Sequence, residues 1–309
     1  MRALTLALFG LLLSTPAQAQ IEVRGPLEGY IQLGGRFQSA ESLLGTGGRT
    51  IETADIDVAT VQLYGELGLI DRWLMLTLEG ELFRRNAITN QGAGFGGAAS
   101  GLGDLRIGAF TTLLQGPINI LGSVKFGLPT GDARPETGLP DNDENFNLNL
   151  AIDQLPTGDE EFDVEFGLTF AQAVELNDLP FRLYGRAFAA FWLRTGTAEP
   201  SRFALSDETD FSNAFNYELQ LGVQGKAPIL RRLWLIGAVR GSESFADLSE
   251  QAGGISIGLG NGVSFTDLSA QVQARLPAGF GVQAEVSGPV RGTLVLNTLS
   301  FGIGASYQF

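Results

Sequence analysis

Charged and aromatic side chains recur at alternate positions through much of this chain, and they are the groups with which it can do chemistry. Between residues 181 and 194, Arg182, Tyr184, Arg186, Phe188, Trp192 and Arg194 share one parity, while Phe181, Leu183, Ala187, Phe191 and Leu193 hold the other. Glu66, Glu79, Glu81, Arg106, Lys125, Glu165, Glu218, Arg240, Arg275 and Glu285 stand in the same way on the polar parity of other segments. Groups of this kind bind ions and dipoles and exchange hydrogen bonds. Covalent chemistry has little to work with. The 309 residues include no Cys and no His. That removes disulfides, thiolate and imidazole metal ligands, and every nucleophile that needs histidine as its base. A carboxylate pair at a rim can still serve as acid and base, but no spacing marks one. The expectation is a protein that is not an enzyme, with no catalytic residue, no metal and no cofactor.

An alternating pattern needs strands to hold it. Twelve segments keep a period of two, at about 27–37, 58–69, 73–84, 104–114, 118–128, 162–173, 181–194, 214–226, 233–243, 264–275, 280–287 and 298–309. A helix would not sustain this spacing; a strand with one apolar face does. Most segments match the ~9–11 residues that a tilted strand needs to cross a bilayer. The connections alternate as well: 38–57, 85–103, 129–161, 195–213, 244–263 and 288–297 are long, and those between them are short. Short turns on the periplasmic side and long loops outside are the pattern of an outer-membrane barrel. A soluble β-sandwich also alternates, but it has no reason to alternate long and short connections or to end its last strand on a bare aromatic. The fold expected is all-β: a transmembrane, antiparallel, up-and-down barrel of about twelve strands. Glycines on strand faces, among the 42 of the chain, let a closed sheet coil tightly.

The ends of the chain supply an address. Arg2, the apolar run Ala3–Leu13 and Ala17-Gln18-Ala19 read as a signal peptide cleaved after residue 19, too short for a membrane helix. Residues 20–309 then form one barrel domain, exported to the bacterial outer membrane of a Gram-negative cell. Phe309, at the end of the alternating run Leu299, Phe301, Ile303, Ala305 and Tyr307, resembles the signal such barrels offer to their insertion machinery.

Gly101-Leu102-Gly103-Asp104-Leu105 opens the fourth segment, and Leu128-Pro129-Thr130-Gly131-Asp132 follows the fifth. Leu155-Pro156-Thr157-Gly158-Asp159 repeats the second motif. With Val286-Ser287-Gly288-Pro289-Val290 and the final strand, these resemble the outer-membrane β-barrel family named for the MetA pathway of phenol degradation. The resemblance implies a twelve-stranded barrel assigned to uptake of small, often apolar, organic molecules, and it carries over no catalytic residue. Read physically, Gly101, Gly103, Asp104, Pro129, Gly131 and Asp132 are rim turn residues: Asp104 can accept backbone N–H bonds, Pro129 ends pairing and Gly131 permits a reversed turn.

Turning the polar parity inward gives a near-balanced lumen. Arg106, Lys125, Arg182, Arg186, Arg194, Lys226, Arg240 and Arg275 face Glu66, Glu79, Glu81, Asp163, Glu165, Glu218 and Glu285, with Tyr64, Phe83, Phe110, Tyr184, Phe188, Trp192 and Trp234 between them. Two outcomes fit: the charges pair and plug the barrel, or they stand around water as a narrow channel. The aromatics either form a path for aromatic or acyl solutes or simply fill space. The formal charge of −14 argues against a nucleic-acid partner. It gathers instead in the loops 129–161 and 195–213. Asp141-Asn142-Asp143-Glu144-Asn145 begins like a calcium loop, but Phe146 and Ile152 stand where the required Gly and Glu would be, which rejects an EF-hand. The acidic loops are either solvated or hold divalent cations loosely at the lipopolysaccharide surface. The partners expected are outer-membrane lipid and lipopolysaccharide, the insertion machinery and a small-molecule solute. The function expected is passive uptake of small, hydrophobic or aromatic solutes; the alternative is a surface-exposed structural or partner-binding barrel with a plugged lumen.

Overall fold

The computed structural model describes residues 23–44, 50–90, 95–131, 157–158, 162–175, 179–195, 213–228, 230–245, 264–292 and 295–309. The expected signal peptide, Asp132, and most of the acidic loops lie outside the described residues.

Fourteen strands among the described residues form one antiparallel sheet: β1 (Gly29–Leu44), β2 (Thr50–Ile70), β3 (Leu74–Asn90), β4 (Phe95–Gly101), β5 (Leu105–Leu114), β6 (Asn119–Leu128), β7 (Phe162–Glu175), β8 (Phe181–Thr195), β9 (Ala214–Gly225), β10 (Leu233–Ser244), β11 (Phe265–Arg275), β12 (Phe280–Gly292), β13 (Val295–Leu296) and β14 (Ser300–Gln308). β1 pairs with β2 on one side and β14 on the other, so the sheet closes into a barrel. Twelve wall positions result, because two of them are built in two pieces. β5 pairs with β3 over Leu74–Gly80, and β4 pairs with it over Arg84–Asn90. In the same way β14 pairs with β1 up to Gln38, and β13 pairs with it at Leu43 and Leu44. Closure through β1, β2 and β14 removes the free edges of the main sheet, which is what allows it to sit in lipid; β4 and β13 each pair on one side only among the described residues.

The chemistry of the wall is inverted relative to a soluble protein. On β7, Asp163, Glu165 and Thr169 are buried, and Phe162, Phe166, Leu168 and Phe170 are exposed. On β9, Gln220 and Gln224 are buried, and Phe215, Leu219, Leu221 and Val223 are exposed. The apolar parity therefore faces outward as a belt, and the polar parity faces the interior. Aromatic contacts mark the short-turn end of that belt, where Phe280, Tyr307 and Phe309 lie in one series. Phe309 pairs with Gly29 through two backbone bonds of 2.9 and 3.1 Å.

Three of the connections expected to be long are mostly strand. Residues 38–57, 85–103 and 288–297 are largely taken up by the ends of β1, β2, β3 and β12 and by β4 and β13. The backbone ladder continues there without a lipid-facing apolar parity: β1 still pairs with β2 at Leu44 and Thr50, and the apolar residues Leu43, Ile56 and Ile88 are buried instead. At the opposite end, Ala278 (φ 59) and Gly279 (φ 83) turn the chain between β11 and β12, where φ above zero favours glycine.

Leu219 sits at the middle of β9 on the exposed parity. Leu219→Arg is expected to cost about 2–4 kcal/mol in urea unfolding of the protein in lipid vesicles. An unchanged midpoint would show that this face does not meet hydrocarbon.

Candidate functional site

The interior carries the side chains that the alternation places there, and the strands determine how they meet. Lys125 Nζ on β6 lies 2.6 Å from Glu79 on β3 and 3.3 Å from Glu165 on β7. Glu165 also accepts a 3.0 Å hydrogen bond from Asn216 on β9. Arg106 lies 3.9 Å from Asp163. Its guanidinium is 4.5 Å from the centre of the Trp192 ring, and that of Arg194 is 3.8 Å from the same ring. One indole thus carries two cations, each such contact being worth roughly 0.5–2 kcal/mol. On the facing strands Arg240 lies 2.9 Å from Glu285 and 4.0 Å from Asp267. Arg186 pairs with Glu218 at 2.8 Å.

Several of these contacts straddle a strand. Glu79 and Lys125 reach past β5, Asn216 and Glu165 past β8, and Arg240 and Glu285 past β11. Neighbouring strands are ~4.8 Å apart, so long side chains lying along the wall cover that separation. The charges are therefore neutralised within the wall itself. The side chains of Arg106, Arg36 and Glu79 remain 31%, 29% and 25% exposed. The hydroxyls of Thr60, Thr77, Ser123 and Thr169 have no hydrogen-bond partner among the described residues, and buried polar groups of this kind call for water.

Not every expected residue belongs to this network. Arg182 bonds to Glu175 at the short-turn rim, where both are exposed, and Arg275 lies exposed at the end of β11. Lys226 sits in the turn after β9, not in the wall. Glu66 is held by Arg24 at 2.5 Å and accepts a 2.7 Å bond from the Tyr64 hydroxyl. Phe83 faces outward, 41% exposed. A bulge is the reason. Val61 pairs with Phe83 and Gln62 with Glu81, so Leu82 is the extra residue and parity reverses beyond it. The reversal also brings Arg84 and Asn86 inside, where Arg84 pairs with Glu81 at 3.1 Å. No sequence signal marked that bulge. Arg36 and Asp267 were also missed, though their parity with Gln32 and Arg275 reveals them; Arg36 bonds to Ser287 at 3.0 Å and Ser300 at 2.8 Å.

At the short-turn end, residues before β1 enter the interior. Val23 is buried against Met75, Phe110 and Leu121. Arg24 lies 5.1 Å from the Tyr30 ring.

The rim motifs converge at the other end. Gly131 N–H donates to Asp104 Oδ1 at 3.0 Å, the Thr130 hydroxyl to Gly103 O at 2.7 Å, and Gly103 N–H to Glu81 O at 2.8 Å. β6 ends at Leu128, just before Pro129. Gly158, from the repeated motif, lies against both Gly131 and Asp104, and Thr157 is buried beside Gly101. A side chain at either Gly131 or Gly158 would collide with the other's backbone. The three motifs thus clasp the base of the segment 129–161 and hold it where β4 departs from the line of β5.

No protein-family profile matches the chain, and no curated protein does. Solved structures do. The COG4313 outer membrane channel from Pseudomonas putida F1 aligns with a TM-score of 0.59 at 13% identity, covering 96% of this chain and 100% of that one. The β domain of the Bordetella autotransporter BrkA aligns with a TM-score of 0.51 at 16% identity, covering 92% and 100%. Identities this low show a shared fold, that of outer-membrane barrels.

Removing one member of a buried charge network strands the others. Lys125→Met leaves Glu79 and Glu165 without their shared cation and is expected to destabilise the barrel by about 3–5 kcal/mol in urea unfolding. Arg182→Ala, at the exposed rim, is expected to cost less than about 1 kcal/mol. Equal effects would refute the network.

Proposed function

We propose that the protein is an outer-membrane channel for passive uptake of small solutes that present an apolar or aromatic face. The observation that carries this reading is the charge-balanced interior. Its mid-barrel side chains are neutralised along the wall and keep part of their surface open, while an apolar belt surrounds them. Fixed, paired charges of both signs keep water in a narrow lumen without trapping either ion. Tyr64, Phe110, Tyr184, Phe188, Trp192 and Trp234 stand on that same inward side, most of them buried among their neighbours. This task needs no reacting group, in keeping with a protein that is not an enzyme. The short-turn end is the periplasmic one in this reading, and Phe309 serves as the insertion signal. Export by a cleaved leader, and contact with lipopolysaccharide at the outer surface, are parts of the same proposal.

A second reading rests on the closed patch formed by Val23, Met75, Phe110 and Leu121. If that patch seals the lumen, the barrel is a scaffold whose loops bind a partner. Planar-bilayer recording of the purified protein separates the two. The channel reading predicts discrete openings with weak preference between potassium and chloride, and a shift toward potassium in Arg106→Gln. Silence in the bilayer together with impermeable liposomes would favour the scaffold.

A further inference from the structure

Below the charged belt the interior changes character. One row of directly opposed residues runs Gln224, Trp234, Gln273, Gln283, Gly304, Gly34 and Gln62 across β9, β10, β11, β12, β14, β1 and β2. These seven are uncharged; the row ends on a charged residue at each side, Arg182 opposite Gln224 and Glu81 opposite Gln62. Gln224, Trp234, Gln273 and Gln283 are only 4–9% exposed. The next row holds Gln271, whose amide donates to Gln283 at 3.0 Å, Tyr184, set edge-on to Trp234 at 6.1 Å, and the charged Glu285 and Arg36. Gly304 and Gly34 contribute no side chain, and the Gln283 amide lies over Gly304.

A buried row of carboxamides is costly unless each group finds a partner. Two do not: Gln273 Oε1, an acceptor, and Trp234 Nε1, a donor, have no hydrogen bond among the described residues. They belong to directly opposed residues. We propose that this row is a recognition track for a neutral, multiply hydroxylated solute, a small sugar or polyol, with hydroxyls on the glutamine amides and an apolar face on Trp234. The track deepens the channel reading, on which it rests, by naming the solute class.

The selection follows from what each kind of solute would exchange. A hydroxylated solute trades its bonds to water for bonds to amides, at little net cost. A charged solute loses hydration against an uncharged stretch whose neighbouring charges, Arg36 and Glu285, are already paired with Asp267 and Arg240. A purely apolar one strands the amides it displaces. The amides yield by rotating about their own side-chain bonds, so passage needs no movement of the wall.

Liposome swelling with glucose, sodium gluconate and glucosamine hydrochloride tests this, alongside potassium chloride conductance. The wild type is expected to admit glucose faster than either charged relative. Gln273→Leu with Gln283→Leu keeps size but removes the amides, and is expected to slow glucose roughly fivefold to tenfold with conductance within twofold of the wild type. Trp234→Phe keeps an aromatic ring and removes the N–H together with part of the indole's surface; it is the second variant should the double one fail to fold, and it too slows glucose. If ions pass but glucose is no faster than its charged relatives, or is unaffected by the variants that fold, the track is wrong and the channel stands. If neither ions nor sugars pass, the channel reading fails and takes the track with it.

Discussion

Closure of the sheet is the constraint on which everything else depends. In hydrocarbon a backbone N–H or C=O has no water to turn to, so each strand must be paired on both sides. The pairing of β1 with both β2 and β14 meets that demand. Once the sheet is closed, period-two alternation has only one consistent assignment: one parity outward in lipid and the other inward. A slip of a single residue would exchange the two sets. The bulge at Leu82 does so locally, turning Phe83 out and Arg84 in.

That assignment forces a large number of polar groups into a confined space, and the structure handles them in two ways. Charged side chains are matched along the wall, often across an intervening strand, as Lys125 is with Glu79. Uncharged amides are grouped separately, as in the row through Gln273 and Gln283. The first arrangement balances charge without requiring contacts across the axis. The second places hydrogen-bond donors and acceptors inside without adding charge. At the rim, Asp104, Gly131 and Gly158 work on the backbone, tying the base of the segment 129–161 to the wall.

Much of this was legible in the residues. Leu219, Leu221 and Val223 against Gln220 and Gln224 state the parity of β9 outright, because lipid and water demand opposite chemistries on adjacent positions. Glu79, Lys125 and Glu165 were identifiable one at a time; that the two glutamates share Lys125 was not, since the sequence does not fix which strands lie side by side at which height. The bulge was hidden because Leu82 and Phe83 are both apolar, and either could extend the pattern. The extension of β1 and β2 was hidden for another reason: beyond the lipid belt the outward parity is no longer apolar, and the apolar residues Leu43 and Ile56 turn inward. Glutamines were overlooked because amides carry no charge to attract notice, although Gln271, Gln273 and Gln283 lie on the inward parity.

The central claim is that the inward parity faces water along the barrel. The absence of native Cys allows it to be tested one position at a time. Ser269 and Leu268 are neighbours on β11, on opposite parities. A charged, membrane-impermeant thiol reagent applied to proteoliposomes should modify Ser269→Cys and reduce its conductance, while leaving Leu268→Cys untouched. Labelling at Leu268→Cys with none at Ser269→Cys would contradict the account.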